Sequence, residues 1–160
     1  MGLWIRARGR AVRLRPLEAG GNFFDTSDSY QFGQSESILG EFVQSMRDDV
    51  IIASKYSGGA AKEASLTKTG NSRKNIIYSV EQSLKRLKTE YIDLYWVHHA
   101  DNVTPFEEIL RGLDDLVRDG KILYAGVSNF PAWRVSRSCA ACGNAWLDAS
   151  GRRAIRVQPR

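Results

Sequence analysis

The amino-acid sequence predicts an α/β chain in which parallel strands are joined by helical crossovers. Three observations carry that expectation: short apolar runs alternate with segments of helical periodicity, glycines and capping residues mark the joins, and a polar residue sits at the C-terminal end of every strand. Residues 22–25 form a short apolar strand after the helix stop Gly20-Gly21. Ser35 then caps a segment in which Ile38, Leu39, Phe42, Val43 and Met46 recur at spacings of three and four, an amphipathic helix. Residues 50–54 read as a buried strand. After a long polar loop, Ser72 caps a second helix with Ile76, Val80, Leu84 and Leu87 on its inner face. Residues 92–97 make the third strand. A helix start follows, with Thr104 as N-cap, Pro105 at the first helical position and Glu107 completing a capping box. Ile109, Leu110, Leu113, Leu116 and Val117 supply its apolar face, Gly120 ends it, and residues 122–127 form the fourth strand.

Such an alternation suits either an open sheet or a barrel. An open nucleotide-binding sheet usually carries a glycine-rich phosphate loop after its first strand, and neither GxGxxG nor GxxxxGKS occurs here. Asp25 ends the first strand, Lys55 follows the second, His98 the third, and Ser128-Asn129 the fourth. Parallel strands bring those ends to one face, which is where barrel enzymes place their chemistry.

At 160 residues, with 42% hydrophobic and 26% charged residues, the chain reads as one soluble globular domain. The absence of an apolar run long enough to span a bilayer, and of a secretory leader, makes a cytoplasmic protein without membrane association the expectation. The net charge of +5 is unevenly placed. Residues 1–16 hold five Arg and no acid, residues 133–160 hold six Arg against Asp148, and all seven Lys lie between them. The chain therefore divides into Arg-rich ends at 1–16 and 138–160 and a central unit at 17–137. The terminal Arg residues lack interleaved aromatics and any nucleic-acid module, so no nucleic-acid partner is expected. Cys139 and Cys142 have the spacing of a redox or zinc pair, but no second ligand pair exists; two unpaired thiols and no metal are expected.

The stretches Glu18-Ala-Gly-Gly-Asn-Phe-Phe-Asp-Thr-Ser-Asp-Ser-Tyr30, Gly33-Gln-Ser-Glu-Ser-Ile-Leu-Gly40, Ile52-Ala-Ser-Lys55, Ser83-Leu-Lys-Arg-Leu-Lys-Thr-Glu-Tyr-Ile-Asp-Leu-Tyr95, His98 and Gly126-Val-Ser-Asn-Phe130 resemble the aldo-keto reductases. The resemblance runs from about residue 17 to about residue 135. It implies a (β/α)8 barrel, a TIM barrel, that binds NADPH (NADH being possible) without a Rossmann fold. It also implies a tetrad of Asp25, Tyr30, Lys55 and His98, with Ser128 and Asn129 holding the nicotinamide carboxamide and Asp25 also beside the cofactor.

The chemistry of that tetrad follows from its residue types. Hydride delivery to a carbonyl carbon leaves an alkoxide-like oxygen, which Tyr30 is suited to protonate. A Lys55 ammonium would favour the phenolate left behind, Asp25 would hold the lysine, and His98 could donate a hydrogen bond to the carbonyl. His99 and Asp101 are expected to line a loop over the substrate.

The same resemblance implies missing parts. Only about four strand–helix units of the barrel are expected; residues 1–10 show no strand pattern, and the apolar stripe of the last helix fails after Arg137. The Arg-rich, Lys-free junctions have the composition of an out-of-frame reading. The function expected is NADPH-dependent reduction of a small-molecule aldehyde or ketone, with an inactive fragment acting as a binding or subunit-like protein, or a gene remnant, as the alternative. An unclosed sheet should leave apolar side chains among Ile51, Leu94, Tyr95, Val97 and Val127 half wet, so self-association is expected.

Overall fold

The computed structural model of the chain describes residues 4–7, 10–13, 20–60, 67–141 and 155–157, with side chains over 20–60 and 67–136. Cys139 and Cys142 lie outside the residues whose side chains are described. The chain opens with an antiparallel hairpin of β1 (Trp4–Ala7) and β2 (Arg10–Arg13), in which Ile5 pairs with Val12. This corrects the expectation of no strand there. Alternating arginines mask the β-branched pair at Ile5 and Val12, which suits a pleated ladder.

The body is a five-stranded sheet in the order β3 (Phe23–Asp25), β4 (Ile51–Tyr56), β5 (Ile92–Val97), β6 (Ile122–Val127) and β7 (Ile155–Val157), and every pairing is parallel. The crossovers carry helices α1 (Gln34–Val43), α2 (Arg73–Leu87), α3 (Phe106–Arg118) and α4 (Ala132–Ala141). Four strand–helix units in chain order are part of a (β/α)8 barrel. Two expectations need correction at the C-terminal side. The last helix continues past Arg137 to Ala141, since Cys139-Ala140-Ala141 loses the apolar stripe without losing helix-compatible residues. The sheet also does not stop at the fourth predicted strand, because β7 pairs with it through Ala125↔Ile155 and Val127↔Val157.

Strand alternation sorts the apolar side chains. Ile52, Tyr56, Tyr95, Val97, Ala125 and Val127 face the helices, where they meet Ile76, Val80, Leu87, Ile109, Leu113 and Leu116 in one core. Each such side chain, removed from water, contributes roughly 1.5–3 kcal/mol. The register puts Asp25, Ala53, Leu94 and Tyr124 in one row on the other face, with Lys55, Trp96 and Gly126 two residues further on. This second face is exposed in part: Phe23 is 54% exposed, Ile51 38% and Tyr124 54%, while Ala53 and Leu94 between them are buried.

Two predicted caps are replaced. Helix α1 begins at Gln34 after a left-handed Gly33, and Ser35 lies inside the first turn, its hydroxyl 2.8 Å from that of Thr26. Helix α3 has Pro105 at its N-cap position without a side-chain cap, because the Thr104 hydroxyl donates to Asp101 at 2.6 Å. Ser72 does cap α2, accepting from the Asn75 amide. Met46 falls outside α1, in a 3₁₀ segment at Gln44–Asp49 whose backbone kinks at Met46 itself.

Two polar clusters stiffen the frame. At the N-terminal end of the sheet, Arg47 donates to Asp93 at 2.6 Å and to the carbonyls of Val50 and Tyr91 at 3.0 Å, and stacks over Tyr91. Behind the sheet, the fully buried Glu36 accepts from Ser54 and from Arg86, each at 2.6 Å. Burying a carboxylate is tolerable only with such partners. Among the described residues no helix is long and apolar enough to cross a membrane.

Candidate active site

The C-terminal ends of β3 to β6 converge on one edge, and backbone hydrogen bonds carry the sheet pattern past the strands. The Thr26 amide donates to the Ala53 carbonyl, Asp28 to Lys55, His98 to Tyr56 and Ser128 to Val97, all at 2.8–3.0 Å. The backbones of Lys55, His98 and Ser128 are thus fixed before their side chains are considered.

Lys55 is the centre of the cluster. Its ammonium donates to Asp25 Oδ2 at 2.5 Å and to the Thr26 carbonyl at 2.8 Å, and reaches the Tyr30 hydroxyl at 3.4 Å. The lysine side chain is 12% exposed whereas that of Asp25 is 49% exposed, so one partner of the ion pair faces open solvent. Tyr30 is held by a tight turn. Its amide donates to Ser27, Gln31 and Phe32 take left-handed φ of 52° and 55°, and Gly33 completes the turn at 84°. Non-glycine residues rarely adopt that backbone, and its occurrence beside a candidate site fits strain used for placement.

His98 lies edge-on to Tyr30, with ring centroids 6.0 Å apart, and stacks on His99 at 4.1 Å. Burial, together with the charges of His99 and Lys55, pushes its pKa down to about 4, against a smaller upward pull from Asp25. The ring is therefore neutral at pH 7. Asn129, at φ 56°, donates its side-chain amide to the His98 carbonyl at 2.7 Å and to the Ser128 hydroxyl oxygen at 3.1 Å. An oxygen that accepts from Asn129 leaves the Ser128 proton free to point outward, a donor set that fits a carboxamide.

The structure brings Asp25, Tyr30, Lys55 and His98 to one edge, with Ser128 and Asn129 beside them. His99 covers the outer side of His98. Asp101 ties loops together: it accepts from the amides of Asn71, Val103 and Thr104 and from the Thr104 hydroxyl. Burial alone would raise its pKa, but those bonds hold it below the usual carboxylate value.

Three neighbours went unnoticed in the sequence: Ser27, Asp28 and Asn71. Asn71 accepts from Ser57 at 2.7 Å and donates to the His99 carbonyl at 2.8 Å, which joins the loop after β4 to that after β5. Asp28 is 1% exposed and lies against a small cavity of about 40 Å³ shared with Lys68, Tyr78, Gln82 and Arg86. Burial, with the Glu36 charge, raises its pKa to about 7 despite Arg86. Short polar residues in a loop carry no periodicity; proximity to Tyr30 in sequence marked Ser27 and Asp28, and nothing marked Asn71.

The sequence is similar to those of known proteins. The profile of the aldo/keto reductase family matches residues 10–148. An aryl-alcohol dehydrogenase [NADP(+)] from Phanerodontia chrysosporium is 45% identical over 129 residues, which is 75% of this chain and 34% of that protein. Norsolorinic acid reductase B from Dothistroma septosporum is 43% identical over 125 residues, 74% of this chain and 32% of the relative. A norsolorinic acid reductase from Aspergillus flavus is 40% identical over 140 residues, 84% and 35% respectively. The chain matches about a third of the length of these relatives. With most of its length inside the family profile, the chain belongs to the aldo/keto reductase family, whose members are oxidoreductases.

Proposed function

We propose that this chain carries the catalytic edge of an NADPH-dependent reductase that converts an aldehyde or ketone to an alcohol, with Tyr30 as proton donor. The observation that carries the reading is the placement of Lys55, bonded to Asp25 at 2.5 Å while reaching the Tyr30 hydroxyl at 3.4 Å. Asp25 holds the lysine in place, and the ammonium offsets the negative charge left on Tyr30 when its proton moves to the substrate oxygen. His98, neutral at working pH, donates a hydrogen bond to the carbonyl oxygen and so orients it. Ser128 and Asn129 hold the carboxamide of the nicotinamide, which fixes the ring face turned to the substrate. The bound nicotinamide supplies the hydride. The relatives' names, an aryl-alcohol dehydrogenase and norsolorinic acid reductases, favour an aromatic carbonyl.

In this reading Tyr30→Phe removes the donor and nothing else. Turnover should fall at least about a hundredfold while NADPH binding holds. Unchanged turnover in Tyr30→Phe would assign the proton to another group. A second reading, a subunit-like binding protein, draws on the open apolar face at Phe23, Ile51 and Tyr124. NADPH binding without turnover, together with a stable complex, would favour it.

A further inference from the structure

Ser27, in the loop after β3, is fully buried, and its hydroxyl has more partners than it has protons. It lies 3.0 Å from the Ser29 hydroxyl and accepts from the Ser29 amide at 3.4 Å. Three acceptors lie within reach of its single proton, each at 3.4 Å: Asp28 Oδ1, the Lys55 carbonyl and His98 Nδ1. The Lys55 carbonyl already accepts from the Asp28 amide at 3.0 Å. The Ser29 hydroxyl and amide can fill both lone pairs of Ser27, which leaves its proton to be given away.

A neutral imidazole carries one proton on one of two nitrogens, and the partner of one nitrogen decides the state of the other. With the proton on Nδ1, a bare Nε2 would meet the substrate oxygen lone pair to lone pair. With Nδ1 accepting, Nε2–H can donate. Among the described residues, the Ser27 hydroxyl alone lies within hydrogen-bond distance of Nδ1. Asp28 competes for the same hydroxyl; burial beside Glu36 raises its pKa to about 7, so below that pH its protonated carboxyl is the weaker acceptor.

We propose that Ser27 is a positioning residue that donates its hydroxyl to His98 Nδ1 and thereby fixes His98 as the Nε2–H tautomer. The inference rests on the reading of His98 as donor to the carbonyl. Ser27 touches neither substrate nor cofactor; it acts through the ring.

The test is ring ¹⁵N nuclear magnetic resonance on the full chain labelled at histidine, at about pH 6, below the Asp28 pKa and above that of His98, with His99→Gln used to assign the two rings. The expected result is an Nε2–H tautomer for His98, a shift to the Nδ1–H form or a mixture in Ser27→Ala, and restoration in Ser27→Thr. Ser27→Ala should also lower kcat on the order of tenfold or more without weakening NADPH binding. An Nδ1–H tautomer in the unmodified chain would overturn the proposal, and that result needs no variant to fold. So would a Ser27→Ala protein with the tautomer unchanged. Failure of the reductase reading is separate: it would appear as no carbonyl-dependent oxidation of NADPH by the unmodified chain, whatever the state of the imidazole.

Discussion

Replacing Asp28 by Asn should make the protein more stable above neutral pH and change the pH profile of its unfolding. The carboxyl is 1% exposed, and burial with the Glu36 charge raises its pKa from 3.8 to about 7. Between those two values the folded chain binds a proton that the unfolded chain has released, so stability falls as pH rises through the window. At 1.36 kcal/mol for each tenfold change in proton affinity, the loss above pH 7 approaches about 4 kcal/mol, an upper bound because water entering beside Asp28 would lessen it. Asn keeps the shape and an acceptor for Ser27 but has no proton to lose. His98 slopes the other way: its pKa is depressed to about 4, so its contribution is lost as pH falls below 6.5. Both proteins share that slope, and it cancels in their difference. Urea unfolding of the two proteins between about pH 4.5 and about pH 8.5 provides the assay. With a urea m-value of about 2 kcal/mol/M, the midpoint of Asp28→Asn should gain up to about 2 M on the unmodified chain across that range. Parallel profiles would refute the reasoning, since they would mean that Asp28 is ionised in the folded state at no cost.

Other outcomes follow from packing and from the open face. A Cβ at Gly40 would sit 2.5 Å from the carbonyl carbon and oxygen of Leu87, so Gly40→Ala should destabilise by at least about 2 kcal/mol despite the better helix propensity of alanine; an unchanged unfolding midpoint would show that α1 can move off α2. Phe23, Ile51 and Tyr124 are exposed on the sheet face opposite the helices, so the chain should self-associate. Size-exclusion chromatography with light scattering checks this, and a monodisperse 17.9 kDa species would argue against it.

The strand–helix alternation is readable in the sequence because burial imposes apolar runs such as residues 94–97, and helices α2 and α3 keep their apolar stripes at three and four. Strand ends are readable for the same reason: Asp25, His98 and Ser128 are polar residues at the ends of apolar runs. The elements that escaped are those with weaker signals. Three residues at Ile155–Val157 and four each at Trp4–Ala7 and Arg10–Arg13 are too short for a period to emerge among arginines. Cap assignments failed at Ser35 and Thr104 because each hydroxyl has a tertiary partner, Thr26 and Asp101, that no local window contains. Glu36 reads as part of a polar helix face, yet it is the most deeply buried charge near the site; only the approach of Ser54 and Arg86 from other elements reveals it. The partners of Ser27 were hidden likewise, since His98 lies 71 positions away.

The central claim is that Asp25, Tyr30, Lys55 and His98, with Ser128 and Asn129, form a nicotinamide site. Fluorescence titration of the full chain with NADPH tests it most directly, beside the variant carrying Ser128→Ala and Asn129→Ala together. The account predicts a saturable enhancement of NADPH emission for the unmodified chain, and an affinity at least about tenfold weaker for the double variant at unchanged circular dichroism. No enhancement in the unmodified chain, or equal affinity in the two proteins, would contradict it.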